Sequence, residues 1–143
     1  MSTLTKVPVV YLAGGMRSNW QQIVKNTMVE LQIPAIFIDP REHACREEVK
    51  YTSWDLQGVR LADIVFAYLE KDNPSGAGLA LEIGFAAALN EAPGAIKKKI
   101  VYIEQDGFPF SRYFGMVRVC SDIQETTLES GIEQLRKLLV NFD

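Results

Sequence analysis

The chain of 143 residues has only two cysteines, Cys45 and Cys120, and one histidine, His43. Two cysteines are too few for the disulfide framework that staples small secreted domains. With no further Cys/His cluster in the sequence, His43 and Cys45 do not read as a metal pair. His43 is likewise set aside as a general base. Positive charge is not in excess: Lys and Arg total 15 against 18 Asp and Glu, a formal net charge of −3. Nucleic-acid binding therefore has no electrostatic support. No apolar run approaches the roughly 20 residues of a membrane-spanning helix. Met1 to Lys6 offers no signal-peptide core before the first apolar run. These absences together give the expectation of a cytoplasmic protein without a membrane partner. There is no linker, internal repeat or low-complexity tract, and the length suits one domain, residues 1–143. The glycine pair Gly14-Gly15 is not the G-x-G-x-x-G fingerprint of dinucleotide binding. The one acid that follows a second strand, Asp39, directly precedes Pro40.

What the sequence does have is centred on Asn73 to Leu89. An apolar run, Ile64 to Leu69, reads as a buried parallel strand. Asn73-Pro74-Ser75-Gly76 supplies turn residues, and an Ala/Leu-rich helical pattern follows from about residue 78. Glycines there, Gly78 among them, allow the backbone to approach a ligand closely. Glu82 is the one acid in that apolar helix. It has no cation at the third or fourth position after it, where Phe85 and Ala86 stand. The expectation is that the helix N-terminus keeps this carboxylate ionised, as a nucleophile requires. The alternative is a helix-start acid with no further role.

The rest of the chain alternates strands and helices. Val7 to Ala13 reads as strand one, with a Gly14-Gly15 turn. Ser18 is the expected cap of an amphipathic helix through Trp20, Ile23, Val24, Thr27, Met28 and Leu31. Ala35 to Ile38 reads as strand two. Residues 40 to 52 are polar and irregular, either an ordered loop over a site or a solvated one. Trp54 to Leu61 reads as a helix capped by Ser53, and Asp63 begins strand three. Lys97 to Lys99 is a solvated lead-in to strand four, Ile100 to Ile103. Gly107 to Gly115 is an aromatic-rich loop or short helix, Met116 to Cys120 reads as strand five, and Glu125 to Phe142 as a closing helix. Five alternating strands imply an α/β domain with a parallel sheet covered on both faces. Ligands of such sheets bind at the carboxyl ends of the strands, near the switch point. Tyr11, Gly14, Gly15, Asp55 and Glu82 are the residues expected to meet there.

Three segments together carry a resemblance. Gly78-Leu79-Ala80-Leu81-Glu82-Ile83-Gly84-Phe85-Ala86 resembles the G-x-x-x-E-x-G-x-A signature of the nucleoside 2-deoxyribosyltransferase family. Asp55-Leu56-Gln57-Gly58-Val59-Arg60-Leu61-Ala62-Asp63-Ile64 resembles its D-L-x-G-I-x-x-x-D-I segment, and Val10-Tyr11-Leu12-Ala13-Gly14-Gly15 its first strand and loop. The resemblance implies a flavodoxin-like five-stranded parallel sheet with helices on both faces. It implies transfer of 2-deoxyribose between a deoxynucleoside and a free nucleobase, through a covalent glycosyl intermediate on Glu82 and with retention. No metal or organic cofactor is implied. Tyr11 would orient the nucleophile, and Asp55 would bind sugar hydroxyls. Gly14, Gly15 and Gly78 would face the substrate. The aromatic loop would reach a neighbouring subunit's site, lending Ser111 or, less directly, Arg112, so a homo-oligomer with shared sites is expected. A contiguous apolar surface from Phe108, Phe110, Tyr113 and Phe114 supports that expectation.

The sequence departs from relatives that cleave nucleotides. They place a phosphate-binding serine six residues before the glutamate, where this chain has Gly76, with Ser75 next to it. Transferases of the family often have an aspartate there, which is also absent. Two alternatives remain open: a 2′-deoxynucleoside 5′-phosphate N-hydrolase, with water as acceptor, and a non-catalytic nucleotide-sensing module on the same fold.

Overall fold

A computed structural model describes residues 6–142; the N-terminal residues 1–5, on which the signal-peptide reading largely rests, lie outside it. In chain order the elements are β1 (Val9–Gly14), α1 (Trp20–Glu30), β2 (Ile36–Ile38), α2 (Glu48–Leu61), β3 (Ile64–Leu69), α3 (Ala77–Asn90), β4 (Lys99–Glu104), α4 (Gly115–Cys120), β5 (Ile123–Glu125) and α5 (Leu128–Val140). Short 3-10 turns span Pro40–Glu42 and Ser111–Tyr113. The five strands form one all-parallel sheet in the order β2-β1-β3-β4-β5, a flavodoxin-like α/β fold. Among the described residues, no helix is long and apolar enough to cross a membrane.

Strand periodicity divides the core in two. Val10 and Leu12 of β1, with Ile64 and Phe66 of β3, pack under α1 and α5 against Trp20, Val24 and Leu135. Tyr11 and Ala13, with Val65 and Ala67, face the other side, against Val59, Leu79, Ile83 and Val117. All six residues of β3 are buried, as expected for a central parallel strand. The chain steps outward from β1 to β2, then crosses back to β3 on the other side of β1. The carboxyl ends of β1 and β3 therefore mark the switch point, where connections diverge and leave a crevice.

α2 lies unusually close to β1. A Cβ added to Gly58 would stand 2.8 Å from Cε2 and 2.9 Å from Cδ2 of Tyr11, and 3.0 Å from Cγ2 of Ile38. Only a glycine lets the helix rest on that ring. Gly58→Ala is therefore expected to cost about 1–3 kcal/mol by overpacking and to displace the Tyr11 ring. Thermal melting measures the first effect, and Tyr11 ring resonances unmoved in the variant's NMR spectrum would contradict the second.

Several element expectations need correction. Met116 to Cys120 is not a strand but the helix α4. A strand would put Val117 and Val119 on one face, whereas Val117 is 8% exposed and Val119 85%. The fifth strand is the later, three-residue β5, which pairs with Val101–Ile103 at the sheet edge. α2 begins at Glu48, not Trp54, so Ser53 lies inside it and caps nothing. The extra turns are polar and mostly exposed, and carry no buried stripe to reveal them. α1 is preceded by Asn19, not Ser18, without a side-chain cap. α5 starts at Leu128, with the Thr127 side chain accepting from the Ser130 amide.

Candidate active site

The crevice at the switch point is a cleft of about 230 Å³ built from four segments. Gly14 ends β1 and Gly15 and Met16 follow it, Pro40 follows β2, Asp55 comes from α2, and Asn73, Ser75 through Leu79 and Glu82 come from the loop and first turns after β3. Of the residues expected there, Gly14, Gly15, Gly78, Asp55 and Glu82 all line the cleft. Tyr11 reaches it from beneath, where its hydroxyl donates a hydrogen bond to Oε2 of Glu82.

The loop walls are held by side chains. The Gly15 carbonyl accepts from Trp20 Nε1 at 2.9 Å and from Gln21 Nε2 at 3.0 Å. Oδ1 of Asn73 accepts from the amides of Ser75 at 3.1 Å and Gly76 at 2.8 Å, which folds the turn into α3. Gly76 has φ +69°, and an added Cβ would stand 2.9 Å from both Leu69 Cδ1 and Phe114 Cζ. The left-handed backbone and the packed ring both require glycine. The loop leaves no room for a serine at residue 76.

Glu82 differs from expectation in one respect. It is the sixth residue of α3, past the turn where the helix dipole acts, and it is 8% exposed. Burial pushes its carboxyl up to about 8; the Tyr11 hydrogen bond works downward and the Asp55 charge adds upward. Desolvation is thus the largest influence, and it holds the Glu82 carboxyl well above the ordinary carboxylate range. The expectation that the helix N-terminus keeps it ionised is overturned. Burial, and next the Glu82 carboxylate, raise the Tyr11 phenol far above its ordinary range, so Tyr11 remains a donor. Because that bond lowers the Glu82 midpoint, Tyr11→Phe should raise it. For a reaction that needs the carboxylate, the acid limb of kcat/KM then moves to higher pH, with activity near neutrality reduced by about 100-fold, the low end of acid–base contributions. A pH profile of the variant superimposed on that of the native chain would contradict this.

Asp55 is partly buried, and burial raises its carboxyl, opposed by a hydrogen bond and charge from His43. The contact is between His43 Nε2 and Asp55 Oδ1, at 3.1 Å. Sequence reasoning set His43 aside; the available signal was a sole histidine on the polar loop leading to Trp54-Asp55. Gly58 was read only as a motif letter, yet it seats α2 on the Tyr11 ring and brings Asp55, one turn earlier, to the cleft.

Ser111 and Arg112 do not line the cleft of their own chain. The Ser111 hydroxyl donates to Oε2 of Glu104 and lies 3.3 Å from Nη1 of Arg118, which pairs with Glu104 at 2.7 Å. The Arg112 guanidinium lies 4.7 Å over the Tyr113 ring and donates to its hydroxyl. Phe108 and Phe114 are buried, at 4% and 6% exposed, so the expected four-aromatic surface is not present. The exposed apolar side chains here are Phe110, Tyr113, Met116 and Val119, and Leu81 is exposed on α3. A larger open groove of about 700 Å³, lined by Ile38, Cys45, Val49, Trp54 and Leu61 among others, follows another side of α2 and contains no carboxylate.

Compared with protein-family models and with curated proteins, the chain matches none.

Proposed function

We propose that this chain is a glycosyltransferase that moves 2-deoxyribose from one nucleobase to another through a covalent intermediate on Glu82. The observation that carries the reading is a buried carboxylate, bonded by a phenol, at the floor of a switch-point cleft that a second carboxylate also lines. In the ionised form Glu82 attacks C1′ as the C1′–N bond breaks. The first base leaves with the bonding pair and takes up a proton. A nitrogen of the second base then displaces Glu82 and gives up a proton, so configuration is retained and no net proton is consumed. Tyr11 holds the attacking oxygen, and Asp55 binds a sugar hydroxyl by a charge-assisted bond. Substrate that excludes water from the cleft favours base over water as acceptor.

A 5′-phosphate is less well accommodated. Arg17 lines an adjoining hollow together with Glu70 and Asp72, Gly76 offers no hydroxyl, and the hydroxyl of Ser75 beside it already accepts from the Ala77 amide. We therefore favour unphosphorylated deoxynucleosides. Incubation with deoxyinosine or thymidine, with and without adenine, followed by product separation, tests the reading. A new deoxynucleoside is the expected product. Free base alone indicates a hydrolase, and unchanged substrate a binding module.

The exposed Leu81, Tyr113, Met116 and Val119 lie on α3, α4 and the turn before α4, elements that pack together. We assign this face to a homo-oligomer contact, with the exposed Arg112 a freer group to lend to a neighbour than the engaged Ser111. Light scattering at micromolar concentration should give at least a dimer, and Met116→Asp with Val119→Asp should yield monomers. A fully active native monomer would overturn this assignment.

A further inference from the structure

His43 is the chain's one histidine, and the reaction above gives it no part. Its ring is tilted on Trp54, with centroids 4.6 Å apart, and its side chain is 10% exposed. Both ring nitrogens are engaged. Nδ1 lies 3.2 Å from the backbone nitrogen of Cys45. An amide can only donate, so Nδ1 must be the bare, accepting nitrogen. The ring proton is then on Nε2, which faces Oδ1 of Asp55 at 3.1 Å. A single backbone amide thus selects the tautomer, and the tautomer gives Asp55 a donor.

We propose that His43 is a positioning residue: as the Nε2–H tautomer it holds Oδ1 of Asp55 and leaves Oδ2 as the oxygen that meets the substrate. Among the described residues, Oδ2 has no hydrogen-bond partner. The Trp54 ring and the Cys45 amide fix the imidazole plane, so the carboxylate plane is fixed in turn. Without His43, Asp55 rotates about its own side chain, and both oxygens compete for the same sugar hydroxyl. Orientation of this kind acts on the bound complex and appears in kcat more than in KM. The kinetic half of this inference rests on the glycosyl-transfer reading; the tautomer and its hold on Asp55 do not.

The ionisable groups facing Asp55 are His43 from the loop before α2, Tyr11 from β1 and Glu82 from α3. His43 acts downward on the Asp55 carboxyl, so its removal should move that carboxyl's midpoint up.

The test has one arm without substrate and one with it. In the ligand-free native chain, long-range nitrogen–proton NMR sees a single imidazole and should report a bare Nδ1 and a protonated Nε2. Carbon NMR of the Asp55 carboxyl should show its midpoint raised in His43→Ala and raised less in His43→Gln, whose amide still offers a donor but no charge. An Nδ1–H tautomer, or an Asp55 midpoint unmoved in a folded His43→Ala, overturns the proposal. In the transfer assay His43→Ala should lose about 100-fold in kcat with KM little changed, and His43→Gln should recover to within about tenfold of native. Equal losses in both variants also overturn it. A native chain that transfers nothing refutes the glycosyl-transfer reading, while the NMR arm still decides the role of His43.

Discussion

Glu82→Ala should leave a folded protein that no longer makes a new deoxynucleoside, with a rate lower by on the order of 10⁴-fold or more, as for loss of a nucleophile elsewhere. A 2-fluoro sugar substrate should become attached to Glu82 in the native chain, and a label found on any other residue would sink the covalent route. Stability should move the other way. A carboxyl raised from 4.5 to about 8 by burial stabilises the fold most below pH 4.5, and this contribution falls as pH rises to about 8. Glu82→Gln keeps an acceptor for Tyr11 but never ionises. Its melting temperature should therefore gain on that of the native chain between pH 4.5 and about pH 8. In the native chain kcat/KM should rise through an acid limb near 8, set first by the burial of Glu82 and raised further by the Asp55 charge. Flat activity across that range would mean that Glu82 does not have to ionise.

Asp55→Ala should lower kcat/KM by about 10³-fold, through lost hydroxyl bonding and poorer placement of C1′ over Glu82. The variant carries a second signature. The Asp55 charge raises Glu82, so its removal should move the acid limb to lower pH, opposite in sign to the shift expected for Tyr11→Phe. Those opposite shifts separate an electrostatic neighbour from a hydrogen-bond donor. Native-like kcat/KM in Asp55→Ala would leave the residue only a structural part.

The sheet was legible because its central strands are continuous apolar runs between turn residues, and because helices with clear stripes separate them. The cleft was legible for the same reason, since topology places the loops after β1 and β3 together. What stayed hidden depends on contact rather than pattern. Met116 to Cys120 has strand-like composition, and only packing shows that Val117 is buried and Val119 is not. Phe108 and Phe114 are indistinguishable in sequence from Phe110 and Tyr113, yet the first two belong to the core. The charge state of Glu82 was misjudged because the dipole is local and readable, whereas burial comes from Tyr11 and the packed sheet far away in sequence. His43 acquires meaning only through the Cys45 amide and the Asp55 oxygen, two contacts that no spacing announces.

Gly76 links the cleft to a distant part of the chain. Its left-handed turn packs directly against Leu69 and the Phe114 ring, so the loop after β3 takes part of its shape from the segment leading into α4. The loop is thus not a portable module. Grafted onto another parallel-sheet scaffold, Asn73 to Gly78 would bring its letters and lose its curvature unless Leu69 and Phe114 were transplanted with it. An engineer enlarging the cleft should accordingly work from the Met16 and Pro40 side, where the walls do not lean on that ring.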